Sequence, residues 1–194
     1  MSKVALIVHQ DNVFPELQLW WHGNEVWGTL DNFIGMIIVF RLSELIHDYS
    51  DKIDVIFTSY EEIDLGGAKR IAKNLDKDVL PIVVDVANVK GDWDCALENI
   101  YKFSNKEIKD MKEMIESHLN LKCNTRKYTG KPDDEDDSWA FIKEKRKVLT
   151  YTIPVRGELH TTDCNITLNG IEKATQGLKW LLSYFLTEES KTGR

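Results

Sequence analysis

Residues 53–86 have the sequence IDVIFTSYEEIDLGGAKRIAKNLDKDVLPIVVDV, and this stretch decides the fold class. It begins with a short apolar run, Ile53–Thr58, which is typical of a buried strand. Residues 65–75 follow with the apolar spacing of a helix. The stretch ends at residues 79–86, a continuous apolar run typical of a strand buried on both faces. Strands that alternate with helices in this way favour a largely parallel sheet.

The same alternation continues on both sides of this stretch. Residues 3–8 and 148–155 are further apolar runs and predict strands. Helical spacing is found in three other segments: residues 33–49, Asn105–Leu119 and residues 171–186. The pattern predicts an α/β fold, a three-layer sandwich in which helices flank a central, largely parallel mixed β-sheet.

Length and composition narrow the class of protein. The chain has 194 residues, of which 42% are hydrophobic, so a single domain over residues 1–194 is expected. A net charge of -7 argues against nucleic acid or an anionic membrane as the main partner. No apolar run approaches the roughly 20 residues that a membrane-spanning helix needs.

The cysteines and the N-terminal residues favour a cytoplasmic protein. Cys95, Cys123 and Cys164 are widely spaced, which disfavours both a thiolate zinc cluster and a disulfide scaffold. We therefore expect three reduced thiols. The apolar run at residues 4–8 is shorter than a signal-peptide core and is followed at once by His9.

Two further segments predict local structure. Residues 17–27 are rich in aromatic side chains and predict an edge hairpin that turns at Gly23 and Asn24. Its tryptophans, Trp20, Trp21 and Trp27, are explained equally well by core packing and by a substrate wall or partner surface.

Residues 127–138 contain an acidic run without the spacing of a calcium loop, and they predict a solvated loop.

Side chains that can bind a metal or move a proton follow each predicted strand. In α/β sheets, ligands bind at the carboxyl ends of the strands, so these side chains are expected to meet in one cleft. One more such residue stands at the start of the first long helix. The set, in chain order, is His9, Asp11, Asp31, Glu61, Glu62, Asp85 and His160.

Several of these residues also have a structural explanation. His9 alone is compatible with a satisfied buried histidine, and Asp11 either accepts a hydrogen bond from a metal-bound imidazole or caps a turn. Asp85 interrupts an apolar strand, and a buried carboxylate requires a cation or strong hydrogen bonds. Glu61 and Glu62 leave a strand in different directions, so one can hold a metal while its neighbour faces the substrate as a general base.

The ordered set resembles the co-catalytic zinc exopeptidases, which include leucyl and glutamyl aminopeptidases and related carboxypeptidases and deacylases. Residues 28–35, GTLDNFIG, resemble the G-T-x-D-[DN]-x-x-G segment around the bridging aspartate of that family. Residues 61–68, EEIDLGGA, resemble its E-E-x-G-x-x-G-A segment, although Asp64 stands where the family often has glycine. Residues 83–86, VVDV, and 159–162, LHTT, resemble the segments that carry its last two ligands.

The resemblance implies a site for two divalent metal ions. Asp31 would bridge them, and Glu61 would be the general base while Asp11 orients His9. Mixed nitrogen and oxygen donors favour Zn²⁺, although Co²⁺ or Mn²⁺ could substitute. The remaining ligands would be His9 and Asp85 for one ion and Glu62 and His160 for the other.

The implied activity is hydrolysis of peptide or amide bonds by an aminopeptidase-type metalloenzyme acting on short peptides. An N-acyl deacylase of a small metabolite on the same site is an alternative, and so is a metal- or peptide-binding module without catalysis. The spacing from Asp85 to His160 leaves no room for the inserted lid or dimerisation domain of many relatives. A minimal catalytic domain is therefore expected, with homo-oligomerisation left open.

Overall fold

The computed structural model describes residues 3–14, 16–88, 91–130 and 135–192. The strands in chain order are β1 (Val4–His9), β2 (Leu19–His22), β3 (Glu25–Gly28), β4 (Ile53–Thr58), β5 (Leu80–Ala87), β6 (Cys95–Tyr101), β7 (Cys123–Lys127), β8 (Val148–Pro154) and β9 (Asn165–Thr167). The helices are α1 (Phe33–Arg41), α2 (Ser43–Asp48), α3 (Glu61–Asp64), α4 (Gly66–Asn74), α5 (Asn105–Leu119), α6 (Asp137–Lys143) and α7 (Leu168–Thr192).

The main sheet has the strand order β4-β1-β5-β8-β6-β7. The strands β4, β1, β5 and β8 are mutually parallel, so their carboxyl ends lie at the same edge. β6 is antiparallel to β8, and β7 is parallel to β6. The predicted α/β class with a mixed, largely parallel sheet is therefore confirmed.

Alternating side chains of β1 belong to two separate cores, one on each face of the sheet. Val4, Leu6 and Val8 pack in the larger core, to which α1, α5 and α7 also contribute. Ala5 and Ile7 pack in a smaller core with residues of α4 and α6. Because both faces bury apolar area, all six residues of β1 are buried, and the helices form the outer layers of the predicted sandwich.

A second sheet contains β2, β3 and β9. The predicted hairpin is confirmed, since β2 and β3 pair as antiparallel strands on either side of a turn at Gly23, where φ is 62°. Trp20 and Trp21 are 42% and 67% exposed, so core packing does not explain them. Trp27 is half-buried, and its indole N–H donates to Glu25 Oε2 at 3.1 Å.

Two predicted elements differ from the structure. The single helix expected over residues 33–49 is divided at Leu42, whose N–H bonds to the carbonyl of Val39 in a tighter turn. The solvated loop expected over residues 127–138 is wrong at its C-terminal end, where Asp137 and Ser138 are buried in α6. At the start of α6, Thr58 Oγ1 donates to Asp137 Oδ2 and the Ser138 amide donates to Asp136 Oδ1, whereas Asp137 Oδ1 is buried without a donor. Residues 131–134 of the acidic run lie outside the described residues.

The three cysteines are buried free thiols. Within the described part of the chain, no helix combines the length and the apolar character that crossing a bilayer requires.

The sheet edge formed by the carboxyl ends of the parallel strands is the feature that positions the polar side chains of the site.

Asn32 fixes the start of α1 to the middle of the sheet. It is 1% exposed, its Oδ1 accepts a hydrogen bond from Gly35 N at 3.1 Å, and its Nδ2 donates to the carbonyl of Val84 at 2.7 Å. The first bond caps the helix, and the second ties that cap to β5. The preceding residue, Asp31, is therefore held beside the carboxyl ends of the strands.

We expect Asn32→Ala to lower the free energy of unfolding by about 3 kcal/mol, because it removes a helix cap and leaves a buried carbonyl without a donor. Urea denaturation followed by circular dichroism measures this loss. Asn74→Ala is the matched control, since Asn74 is exposed and bonds only locally to the carbonyl of Arg70. Equal stability of the two variants would contradict the role assigned to Asn32.

Candidate metal centre

The residues singled out at the strand ends converge on one cleft. His9 is the last residue of β1, Glu61 and Glu62 open α3 just after β4, and Asp85 lies near the end of β5. The cleft has a volume of about 220 Å³, and Asp31, Glu61, Glu62, Asp85 and His160 line it. The convergence predicted from the parallel strands is thus present.

A first group of donor atoms surrounds the imidazole of His9. Its Nε2 lies 3.0 Å from Asp31 Oδ1 and 3.3 Å from Asp85 Oδ1. His9 is 1% exposed and Asp85 is 8% exposed. Three potential ligand atoms therefore meet in a largely buried part of the site.

A second group surrounds the imidazole of His160, which is half exposed. Its Nε2 lies 3.2 Å from Asp31 Oδ2 and 3.2 Å from Glu62 Oε2. Asp31 therefore turns one carboxylate oxygen to each histidine and joins the two groups. Ligand atoms of His9, Asp31 and Glu62 also lie within 4.8 Å of one another.

Several carboxylate oxygens at the site are buried without a hydrogen-bond donor. They include Asp31 Oδ1, which touches His9 Nε2 without hydrogen-bond geometry, and Glu62 Oε1. A buried anionic oxygen without a donor is costly, and a bound cation removes that cost. The site thus has the charge and the open coordination positions that divalent ions require.

The pKa values of the carboxylic acids show an excess of negative charge. Burial, and then the charge of Asp85, raises the pKa of Glu61 to about 9. Burial raises the pKa of Asp85 to about 7, although His9 opposes the rise. Burial and the charge of Asp31 also raise the pKa of Glu62. Without a cation, the cleft therefore favours protonated carboxyl groups.

The histidines respond to the same charges in the opposite sense. Burial by itself lowers the pKa of His9, but the carboxylates of Asp85 and Asp31 outweigh it and raise the pKa to about 12. The hydrogen bond to Asp31 raises the pKa of His160. Burial alone would raise the pKa of Asp31, but its close contacts with the imidazoles of His160 and His9 lower it. Protonated imidazoles therefore take the place of cations in this arrangement.

Asp11 contacts His9 mainly through its backbone. His9 Nδ1 lies 3.3 Å from the Asp11 carbonyl oxygen and 3.8 Å from its carboxylate Oδ1. A carbonyl acceptor at Nδ1 would leave Nε2 free to bind a metal, as is common for metal-bound histidines. The carbonyl is thus the closer group for orienting the imidazole.

Asp136 and Asp137 support the site, and the sequence analysis missed both. Asp137 Oδ2 accepts a hydrogen bond from Thr58 Oγ1 at 2.6 Å, and burial raises the pKa of Asp137 to about 6. Asp136 Oδ2 accepts hydrogen bonds from Thr150 at 2.7 Å and from Asn99 at 2.9 Å. The available signal was the Asp136-x-Ser138 sequence, since Asp136 caps α6 through the Ser138 amide.

No protein-family model and no curated protein sequence matches the chain. Solved structures do match. The aminopeptidase PepT from Bacillus cereus is 9% identical, with a TM-score of 0.69, over 96% of this chain and 81% of that one. A tripeptidase from Staphylococcus aureus is 11% identical, with a TM-score of 0.67, over 93% and 80%. Yeast aminopeptidase 1 is 10% identical, with a TM-score of 0.61, over 92% and 50%.

The chain has the fold of these peptidases. At the level of the fold, this confirms the predicted resemblance to aminopeptidases. The chain spans about four-fifths of the length of the two bacterial structures but only half of the yeast enzyme.

We expect zinc to stabilise the protein more at high pH than at low pH. The raised pKa values mean that the metal-free folded state binds more protons than the unfolded chain. Its free energy of unfolding therefore falls as the pH rises. Glu61 contributes to this fall between pH 4.5 and about pH 9, and His9 contributes between pH 6.5 and about pH 12. Zinc replaces these protons, so its effect grows across this window.

Thermal unfolding at about pH 6 and about pH 9, with chelator or with zinc, measures this effect. The Tm difference between zinc and chelator is expected to be larger at the higher pH. The same protein under the two conditions is its own control. An equal Tm with zinc and with chelator at both pH values would contradict the account.

Proposed function

We propose that the chain is a metal-dependent hydrolase of peptide bonds, of the aminopeptidase type, with two zinc ions. The observation that carries this proposal is the carboxylate of Asp31, which lies with one oxygen against His9 and the other against His160. A carboxylate shared in this way suits two adjacent metal ions.

The donor set fits zinc. His9, Asp31 and Asp85 would hold one ion, and His160, Asp31 and Glu62 would hold the other. Each group has one imidazole nitrogen and two carboxylates, close to the three-ligand sets of catalytic zinc sites. The buried oxygens without donors at Asp31 and Glu62 support this assignment. Co²⁺ or Mn²⁺ could occupy the same positions.

Glu61 is the proposed general base, because it lines the cleft but belongs to neither donor group. Bound zinc would supply Lewis acidity for the substrate carbonyl and lower the pKa of a water molecule. The Glu61 carboxylate would take the proton of that water and deliver it to the leaving nitrogen. The pKa of about 9 describes Glu61 without cations, and neighbouring dications would lower it toward the value that suits a base at neutral pH.

The surroundings of the cleft favour a small substrate. A volume of about 220 Å³ accommodates only a few residues of a peptide. The structures that share this fold are described as an aminopeptidase, a tripeptidase and yeast aminopeptidase 1, which agrees with peptide hydrolysis. The proposed substrate is therefore a short peptide with a free N-terminus.

Location and assembly are part of the same proposal. Three buried free thiols suit a reducing compartment, so we place the protein in the cytoplasm. Yeast aminopeptidase 1 has been solved as a dodecamer, and the exposed Trp20 and Trp21 offer apolar surface for self-association. We therefore include a homo-oligomer in the proposal.

We expect Glu61→Gln to keep its bound zinc but to hydrolyse peptides at least about 100-fold more slowly, because an amide cannot accept the proton of water. Turnover of peptides with a free N-terminus and of N-acyl compounds, together with zinc analysis of the variant, measures this. Glu144→Gln is the control, since Glu144 is exposed and ends α6 away from the cleft.

Two outcomes would overturn the proposal. Undiminished hydrolysis by Glu61→Gln would remove Glu61 as the base. Turnover of N-acyl compounds without any turnover of free peptides would replace the aminopeptidase with a deacylase.

A further inference from the structure

Asp137 is a buried carboxylate with an incomplete set of hydrogen-bond donors. It is 1% exposed, and its Oδ2 accepts the hydrogen bond from Thr58 Oγ1 at 2.6 Å. Its Oδ1 has no donor among the described residues. A buried carboxylate that is satisfied on one oxygen only opposes folding. Stability alone therefore does not account for the contact between Asp137 and Thr58.

Thr58 stands at the start of the turn that carries the acidic side chains of β4 and α3. It is the last residue of β4, it lies beside His9 of β1, and Glu61 opens α3 three residues later. The carbonyl of Thr58 accepts a hydrogen bond from Gln10 N at 3.0 Å. The start of the turn is thus tied to β1 through its backbone and to α6 through the side chain of Asp137.

The rest of the turn is also fixed by its neighbours. The carbonyl of Ser59 accepts a hydrogen bond from Gly67 N at 2.9 Å, and a Cβ at Gly67 would lie 2.6 Å from that oxygen, so α4 packs directly on the turn. Tyr60 and Leu65 flank α3 with φ values of 67° and 57°, which side chains other than glycine rarely adopt. Such backbone persists only where surrounding contacts hold it. The position of Glu61 therefore depends on these contacts.

Glu61 depends on the turn more than Glu62 does. Glu62 Oε2 lies 3.2 Å from His160 Nε2, so a contact outside the turn also locates its carboxylate. Within the described ranges, no residue forms a hydrogen bond or an ion pair with the carboxylate of Glu61. A general base stays free of the metal, so bound ions would not hold it either. The backbone of the turn is what remains to aim Glu61 into the cleft.

We propose that Asp137 and Thr58 are positioning residues for the general base Glu61. This inference rests on the proposed peptidase function. The hydrogen bond between them fixes the start of the turn, and with it the direction in which Glu61 projects. A displacement of about 1 Å at a reacting group can lower the rate about 100-fold. The loss resides in kcat when the binding of the substrate is unchanged.

Variants that differ in one hydroxyl group test this role in the zinc-loaded protein. Thr58→Val removes the donor at nearly the same shape, and Thr58→Ser keeps it. Asp137→Ala removes the contact from the other side together with the buried charge, so it replaces Thr58→Val if an unpaired carboxylate prevents that variant from folding. Thr175→Val is the matched control, since Thr175 is also buried and its hydroxyl bonds to the carbonyl of Ile171 in its own helix.

We expect Thr58→Val and Asp137→Ala to lose about 10- to 100-fold in kcat on trialanine, with KM and the zinc content unchanged. Thr58→Ser keeps most of the wild-type kcat, and Thr175→Val keeps all of it. In the Glu61→Gln protein, adding Thr58→Val lowers kcat no further, because the base that it would displace is already absent. A merely structural role would lower kcat in both backgrounds.

Unchanged kcat in Thr58→Val and Asp137→Ala would overturn the inference. Loss of zinc from these variants would overturn it as well, because the contact would then act through the metal ligands. So would a further fall in kcat when Thr58→Val is added to Glu61→Gln. In these three cases the wild-type protein still cleaves peptides, so the proposed function survives. Absence of peptide cleavage by the wild-type protein would overturn the proposed function and this inference with it.

Discussion

The carboxylate of Asp31, between the imidazoles of His9 and His160, is the contact on which the site depends. The position of this carboxylate is well defined because several structural elements hold the Asp31 backbone. Asn32 caps α1 and bonds to β5, and Asn12 donates to the Asp31 carbonyl at 2.7 Å. A shared ligand needs this rigidity, because a small shift of the Asp31 carboxylate toward one histidine would move it away from the other. The stability of the start of α1 is therefore tied to the chemistry of the cleft.

The destabilising charges of the site and the stabilising apolar core lie in different parts of the sheet. β1 and β5 bury apolar side chains against helices on both faces, which stabilises the fold through a large hydrophobic area. Their carboxyl ends carry the buried charges, which oppose folding when no cation is present. An acidic cleft of this kind is tolerated because the core around it is extensive, and bound metal would convert its repulsion into attraction.

The strands β1, β4, β5 and β8 could be predicted because they are continuous apolar runs, and their shared direction made the convergence of His9, Glu62 and Asp85 predictable. β7, with the sequence CNTRK, gives no apolar pattern, and it is a strand because it pairs with β6. The hydrogen bonds of Asp136 could not be predicted either, since its donors Asn99 and Thr150 are distant in sequence. Local patterns report what a residue buries by itself, whereas these features depend on partners that only the fold brings near.

Metal stoichiometry of the purified protein tests the central claim most directly. Elemental analysis of the zinc-saturated wild-type protein is predicted to give about two ions per chain, as a two-metal site requires. Asp31→Ala is predicted to lose both ions because the two sites share that carboxylate, whereas His160→Ala is predicted to keep the ion beside His9 and Asp85. Exposed Asp51 provides the control variant Asp51→Ala. Two ions retained by Asp31→Ala, or no ion bound by the wild-type protein, would contradict the account.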